Sequence, residues 1–315
     1  MKITEADVVV PASVPNEQRE TYIKNYLLAT RNTGRLMLFA GDQKAEHLND
    51  DFAGEADIGK IPDDDGDPEH LFRIAHQAEI GVFATQFGLI ARYGPSYRDI
   101  PYLVKMNSKT HLDKGTERDP RSLALASFDD VLRLQKNGLA VLGIGCTVYP
   151  GSEHEAEMLA QAGQLFAKAH EHGMIAVLWS YPRGRGVKND KDPHLVAGAA
   201  GIGAVLGADF VKVKQPKQGD VSDPALLKEA IRAAGRTKIV CEGGSSTKID
   251  TFLRRLYDQI HVAGVSGNAT GRNIHQKSLT DAVRMANAIS AITVGDKDVA
   301  FALQVAEGKQ SFRVV

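Results

Sequence analysis

Eight short apolar runs, separated by stretches of helical periodicity, limit what this chain can fold into more than any other feature. They are RLMLFA (35–40), GVFAT (81–85), YLVKM (102–106), AVLGIGC (140–146), IAVLWSY (175–181), DFVKVKQ (209–215), KIVCEG (238–243) and VAGVSG (262–267). Runs this short and this apolar read as buried strands. Strands that alternate with helices build parallel βαβ units. The helical stretches carry end signals. EAEMLAQAGQLFAKAHEHG precedes the fifth run, and DPALLKEAIRAAG precedes the seventh. In the latter, Asp223 has the chemistry of an N-cap and Pro224 that of a first helical residue. Glycines follow several of these stretches, as C-caps do.

Eight βα units predict an α/β fold, a single (β/α)₈ TIM barrel, for which about 250 residues are typical. The chain has 315. The surplus falls in an N-terminal extension at 1–34, helical around QRETYIKNYLLATR, and in an acidic loop at 49–70 after the first strand. The barrel domain then spans 35–315. An open doubly wound sheet has the same periodicity, so closure is an expectation here.

Composition narrows the setting. The net charge is −1 and the pI about 6.8, which gives no electrostatic footprint for nucleic acid or a membrane surface. The two cysteines, Cys146 and Cys241, sit in apolar runs, as thiols kept reduced do. MKITEADVVV does not read as a secretory leader, and no run reaches the ~18 apolar residues of a membrane span. These features predict a cytoplasmic protein.

Candidate chemistry follows from strand alternation. In a barrel, alternate strand residues point inward, and functional groups gather where the strands end. In ADFVKVKQPKQ (208–218), Val211 and Val213 share one face and Lys212 and Lys214 the other. If the valines pack on the helices, the lysines face the interior. There, desolvation and a neighbouring cation both favour the neutral amine, with each lysine acting on the other. A neutral amine attacks carbonyl carbon to form a Schiff base. An ion pair with a carboxylate, or a contact with substrate phosphate, explains the same pattern. Asp42 stands at the end of the first strand, and Trp179 and Tyr181 at the end of the fifth. Gly243, Gly244 and Ser245 follow the seventh strand, and Gly271 and Arg272 follow the eighth. Glycines ahead of a helix let backbone N–H groups approach a phosphate, and this pair of loops is where barrels often bind one.

Other features read as structural. GIGAVLG (201–207) lies within a helical pattern and precedes a strand, the wrong context for a dinucleotide fingerprint. His154, His170 and His172 lack metalloprotease spacing and read as an exposed helix face. DDDGDPE (63–69) has its glycine too early for a calcium loop and reads as solvated surface. Lys105, Asn107 and Lys109 alternate at the end of the third strand; they add charge inside the mouth, or Lys109 lies on a loop outside it. No set of histidine ligands is evident at strand ends.

In order, GDQKAEH, VKMNSKT, TVYPGSEHEAEML, LWSYPRG, GADFVKVK, GGSSTK and GRNIHQ make the chain resemble the archaeal-type class I fructose-bisphosphate aldolases, the DhnA family, from about Leu36 to Ile289. The resemblance implies that Lys212 is the Schiff-base lysine, a choice spacing alone does not make over Lys214. It implies that Tyr181 is the general acid/base, that Trp179 lines the substrate channel and that Asp42 is a catalytic carboxylate. The phosphate loops map to Gly243, Gly244, Ser245, Gly271 and Arg272. The family often has histidine where this chain has Gln43, so a histidine relay is not carried over. No metal or other cofactor is implied. The expected partners are a phosphorylated sugar and further copies of the chain, since the family commonly forms rings of subunits, often decamers. The resemblance extends to 2-amino-3,7-dideoxyheptulosonate synthases, which condense with aspartate semialdehyde, and to members performing acyl transfer. A non-catalytic sugar-phosphate binder on the same barrel is the alternative from another class.

Overall fold

The computed structural model describes residues 2–112 and 118–314. Eight parallel strands follow one another around a closed ring: β1 (Leu36–Ala40), β2 (Val82–Gln86), β3 (Tyr102–Lys105), β4 (Val141–Val148), β5 (Ile175–Ser180), β6 (Phe210–Val213), β7 (Lys238–Glu242) and β8 (Gly267–Thr270). β1 pairs with both β2 and β8, so the sheet is closed and the open alternative is excluded. Among the described residues, no helix is long and apolar enough to cross a membrane.

Side-chain alternation sorts each strand into two layers. Met37 and Phe39 of β1, Val211 and Val213 of β6, and Ile239 and Cys241 of β7 join the core between sheet and helices. Leu36, Leu38, Ala40, Val177, Trp179, Phe210 and Val240 fill the barrel itself. The expected orientation of the valines therefore holds, and Lys212 continues the interior row begun by Phe210. Glycines in β4 make room for this filling. A Cβ on Gly145 would stand 2.4 Å from the Trp179 ring, and one on Gly143 would stand 2.4 Å from the Ile175 carbonyl oxygen.

The N-terminal residues close the end where the strands begin. Val8, Val14, Tyr22 and Ala29 join the interior cluster. Tyr22, in the helix Arg19–Ala29, donates its hydroxyl to Asp209, and the Asn25 amide donates to the Gly173 carbonyl. His170 belongs to the same plug. It is 2 % exposed, with Nε2 facing Asp209 and Nδ1 facing the Ser13 hydroxyl, which corrects its expected place on an exposed face. The sequence gives no hint of this, because the partner at position 13 lies 157 residues away.

Two further expectations change. The eighth strand is Gly267–Thr270, where the apolar run at 262–267 predicted it earlier. Gln259–Ala263 instead forms a π-helical turn ended by Gly264 at φ 91°. Its apolar side chains Ile260 and Ala263, with Val265 just beyond, pack in the outer core. Gly267 must be glycine, because at φ +135° a Cβ would lie 2.0 Å from the Leu36 carbonyl oxygen. The strand looks polar because Asn268 donates to the Thr293 hydroxyl within the outer layer. The acidic loop is not wholly solvated either: Asp65 is 0 % exposed and faces His275 Nδ1 at 2.8 Å. The other expected contexts hold. GIGAVLG forms the last turn and C-cap of the helix Pro193–Val205, and Asp223 caps Pro224–Leu226 by accepting from the Ala225 N–H.

Candidate active site

Where the strands end, the loops enclose a cavity of about 360 Å³. Each residue that the sequence placed in the site lines it: Lys212, Tyr181, Asp42, Trp179, Lys214, the Gly243–Gly244–Ser245 loop, and Gly271 with Arg272. The structure adds Glu46, His47, His111, Arg183, Asp190 and Glu242. Glu242 had a readable signal, since it ends β7 in an inward register two residues after Val240. Glu46 and His47 lie within GDQKAEH, but like His111 they sit on connecting segments whose course the strand pattern does not define.

Three lysines approach this end of the barrel, and their surroundings differ. Lys105 is 3 % exposed and donates to the Asn107 carbonyl at 2.8 Å and to its side-chain oxygen at 3.1 Å. Lys214 is ion-paired with Asp190. Lys212 is 5 % exposed, and among the described residues no group hydrogen-bonds or ion-pairs with its amine. Its neighbour is Trp179, its register partner on β5, whose ring lies 5.5 Å from the amine. Lys105 approaches the same indole at 5.3 Å.

Burial holds the Lys212 amine below the ordinary lysine range. Asp42, Glu242 and Glu46 oppose that shift, and Arg272 adds to it. The neighbouring cation is thus Arg272, which corrects the expectation that Lys214 would play that part. A base that sheds its proton easily, ringed by carboxylates that favour a cation, suits an amine that is neutral at first and charged later. Burial, reinforced by Glu242, Asp42 and Glu46, pushes the Tyr181 phenol well above its usual range. Tyr181 therefore carries its proton across the physiological range and can donate it. The buried thiols of Cys146 and Cys241 are pushed up to about 12 by desolvation and remain inert.

The glycine loops are held from behind. Asn273 donates to the carbonyls of Gly243 and Ser245 and accepts from the Thr247 N–H. Arg255 donates to the Gly243 carbonyl at 2.7 Å. Gly271 has no space for a side chain, since a Cβ would stand 2.7 Å from the Ala40 carbonyl oxygen. The acidic loop braces the second half: Asp51 pairs with Arg272 at 3.7 Å, and its carbonyl accepts from Gln276. Phe52 stacks on the His275 ring 4.8 Å away, and His70 Nε2 meets the His275 carbonyl. Glu46, His47 and His111 form a group with metal-ligand chemistry, although no histidine set was evident at strand ends.

Comparison with known proteins gives concordant results. The sequence profile of DeoC/LacD family aldolases matches residues 36–277. The fructose-bisphosphate aldolase/6-deoxy-5-ketofructose 1-phosphate synthase of Methanocaldococcus jannaschii is 55 % identical over 98 % of this chain and 97 % of its own. A solved fructose-bisphosphate aldolase from Slackia heliotrinireducens superposes with a TM-score of 0.94 at 56 % identity, covering 99 % of this chain and 98 % of that one. An archaeal fructose-1,6-bisphosphate aldolase, solved with its catalytic lysine covalently bound to the carbinolamine intermediate of the substrate, superposes with a TM-score of 0.73. It is 30 % identical, over 86 % of this chain and 99 % of its own.

Proposed function

The chain belongs to the DeoC/LacD family of aldolases, and on that footing we propose that it is a class I, Schiff-base aldolase that cleaves and forms fructose 1,6-bisphosphate. The observation that carries this reading is the buried, unpartnered amine of Lys212 beside Trp179 and among three carboxylates. An amine that served only as an ion-pair partner would sit like Lys214, against an acid.

The mechanism follows from those surroundings. Neutral Lys212 adds to the C2 ketone of the open-chain sugar, giving a carbinolamine. Loss of water leaves a protonated imine, whose positive charge Asp42, Glu242 and Glu46 favour. A base takes the proton of the C4 hydroxyl, the C3–C4 bond breaks, and its electron pair moves into the imine to form a neutral enamine. Glyceraldehyde 3-phosphate departs. C3 is then protonated, and water releases dihydroxyacetone phosphate and the free lysine. Tyr181, with its proton held firmly, is the acid for carbinolamine dehydration and for C3. Asp42 is the carboxylate for the hydroxyl proton. Gly243, Gly244, Ser245, Gly271 and Arg272 bind a phosphate, so binding energy distant from the reacting carbons orients them. Lys214 and Arg183 add positive charge to the cavity wall.

A second activity has its own support. The Methanocaldococcus jannaschii relative is also named a 6-deoxy-5-ketofructose 1-phosphate synthase. Forming that product's C3–C4 bond joins the same enamine to a three-carbon 2-oxoaldehyde, so we propose that this chain accepts such an acceptor. Two unpaired buried cysteines favour a reducing compartment, in keeping with a cytoplasmic site of action. Assembly with further copies is proposed from the family resemblance, and light scattering tests it. The catalytic test is direct. Purified protein, exhaustively chelated, should release glyceraldehyde 3-phosphate and dihydroxyacetone phosphate from fructose 1,6-bisphosphate, and Lys212→Met should reduce that to background. Undiminished cleavage by the variant would exclude the mechanism.

A further inference from the structure

The segments that follow β1 and β3 meet on one wall of the cavity and bring together Glu46, His47 and His111. One donor atom from each side chain lies within 4.8 Å of the other two. Donors about 2.0–2.2 Å from a tetrahedral zinc ion stand about 3.3–3.6 Å apart. Glu46 Oε1 and His111 Nε2 are already 3.0 Å apart, sharing a proton that an ion would replace. The His47 and His111 rings lie 4.7 Å apart, tilted by 37°. Two groups stand behind these ligands. Asp51 lies 2.6 Å from His47 Nδ1, so a carboxylate can hold one ring proton while the other nitrogen ligates. Tyr149 donates its hydroxyl to Glu46 Oε1 at 2.8 Å. A carboxylate behind a ligating histidine is the arrangement that orients metal ligands. The three side chains are about a quarter exposed (23, 25 and 26 %), so an ion can enter from solvent and retain water at a fourth position.

We propose that Glu46, His47 and His111 form a binding site for a divalent cation of the zinc class on the wall of the Lys212 cavity, and that its occupation blocks turnover. Glu46 is one of the carboxylates whose field favours positive charge on Lys212. An ion held by Glu46 cancels that contribution and adds its own charge where a protonated imine must form. The blocking rests on the aldolase reading; the binding does not.

The test uses chelated, dialysed full-length protein titrated with zinc chloride alone. Bound metal is counted after gel filtration, and fructose 1,6-bisphosphate cleavage is followed by NMR without coupling enzymes. One zinc per chain is expected, with cleavage lost on loading and restored by chelator. Asp51→Asn should weaken binding by about 10–100-fold, and His111→Ala or Glu46→Gln by more. Cobalt(II) loaded in place of zinc should show the visible absorption of a four-coordinate site, absent from His111→Ala. No stoichiometric binding, binding that survives all three substitutions, or full cleavage with the site loaded would each overturn the proposal. Because metal-free cleavage is measured in the same series, a failure to bind zinc is distinct from a failure of the aldolase assignment.

Discussion

At the scale of single residues, the chain is decided by what surrounds three lysine amines. Spacing marked Lys105, Lys212 and Lys214 alike, because alternation reports which face a side chain shares and nothing about its partner. The structure separates them by pairing: Asn107 for Lys105, Asp190 for Lys214, and an indole for Lys212. Two pH predictions follow. Since burial holds Lys212 below the ordinary lysine value of about 10.4, kcat/KM should rise with pH through a limb below that value. Glu242 favours the proton on Lys212, so Glu242→Gln should move the limb to lower pH; movement upward would contradict the electrostatics. A lysine whose folded pKa is depressed costs stability below that pKa, and the cost vanishes as pH rises through the unfolded value. Lys212→Met should therefore melt higher than the parent at neutral pH, with a gain that shrinks toward pH ~10. Tyr181→Phe should lower kcat by about 10²–10⁴-fold while still allowing imine formation.

At the scale of elements, the glycine loops after β7 and β8 and the acidic segment are braced together. Gly243, Gly244 and Gly271 were legible as cavity-lining loops, and as candidates for phosphate binding, because each follows a strand and precedes a helix. The segment at 49–70 was not, because its fold rests on long-range pairs: Asp65 with His275, Asp51 with Arg272, Phe52 against the His275 ring. The strand at Gly267–Thr270 escaped for the same reason, since Thr293 satisfies a polar residue that reads as loop. Removing Asp65 leaves the buried His275 Nδ1 without its hydrogen-bond partner, a loss of about 1–3 kcal/mol. Asp65→Ala should lower the denaturation midpoint by that measure and raise KM for the bisphosphate more than it lowers kcat. A variant of native stability and unchanged KM would show that the acidic segment does not support the glycine loops proposed to bind phosphate.

At the scale of the whole molecule, eight runs made a barrel the expectation, and the pairing of β1 with both β2 and β8 closes it, but the plug beneath it was not legible. A helical pattern in QRETYIKNYLLATR says nothing of where the helix docks, and we propose that residues 1–34 are part of the folded core. Four of their side chains, Val8, Val14, Tyr22 and Ala29, belong to the buried cluster that fills the barrel. At about 1.5–3 kcal/mol for each of the larger ones, their loss takes much of the 5–15 kcal/mol by which a domain is stable. A chain beginning at Arg35 should show no cooperative melting by circular dichroism. Native-like melting with retained cleavage would mean that the extension is dispensable.

The central claim is covalent, and one measurement meets it. Protein incubated with dihydroxyacetone phosphate and reduced with borohydride should gain the mass of one reduced triose phosphate adduct per chain. Peptide mapping should place that adduct on Lys212, and Lys212→Met should stay unmodified. An unmodified parent protein, or an adduct on Lys105 or Lys214, would contradict the account.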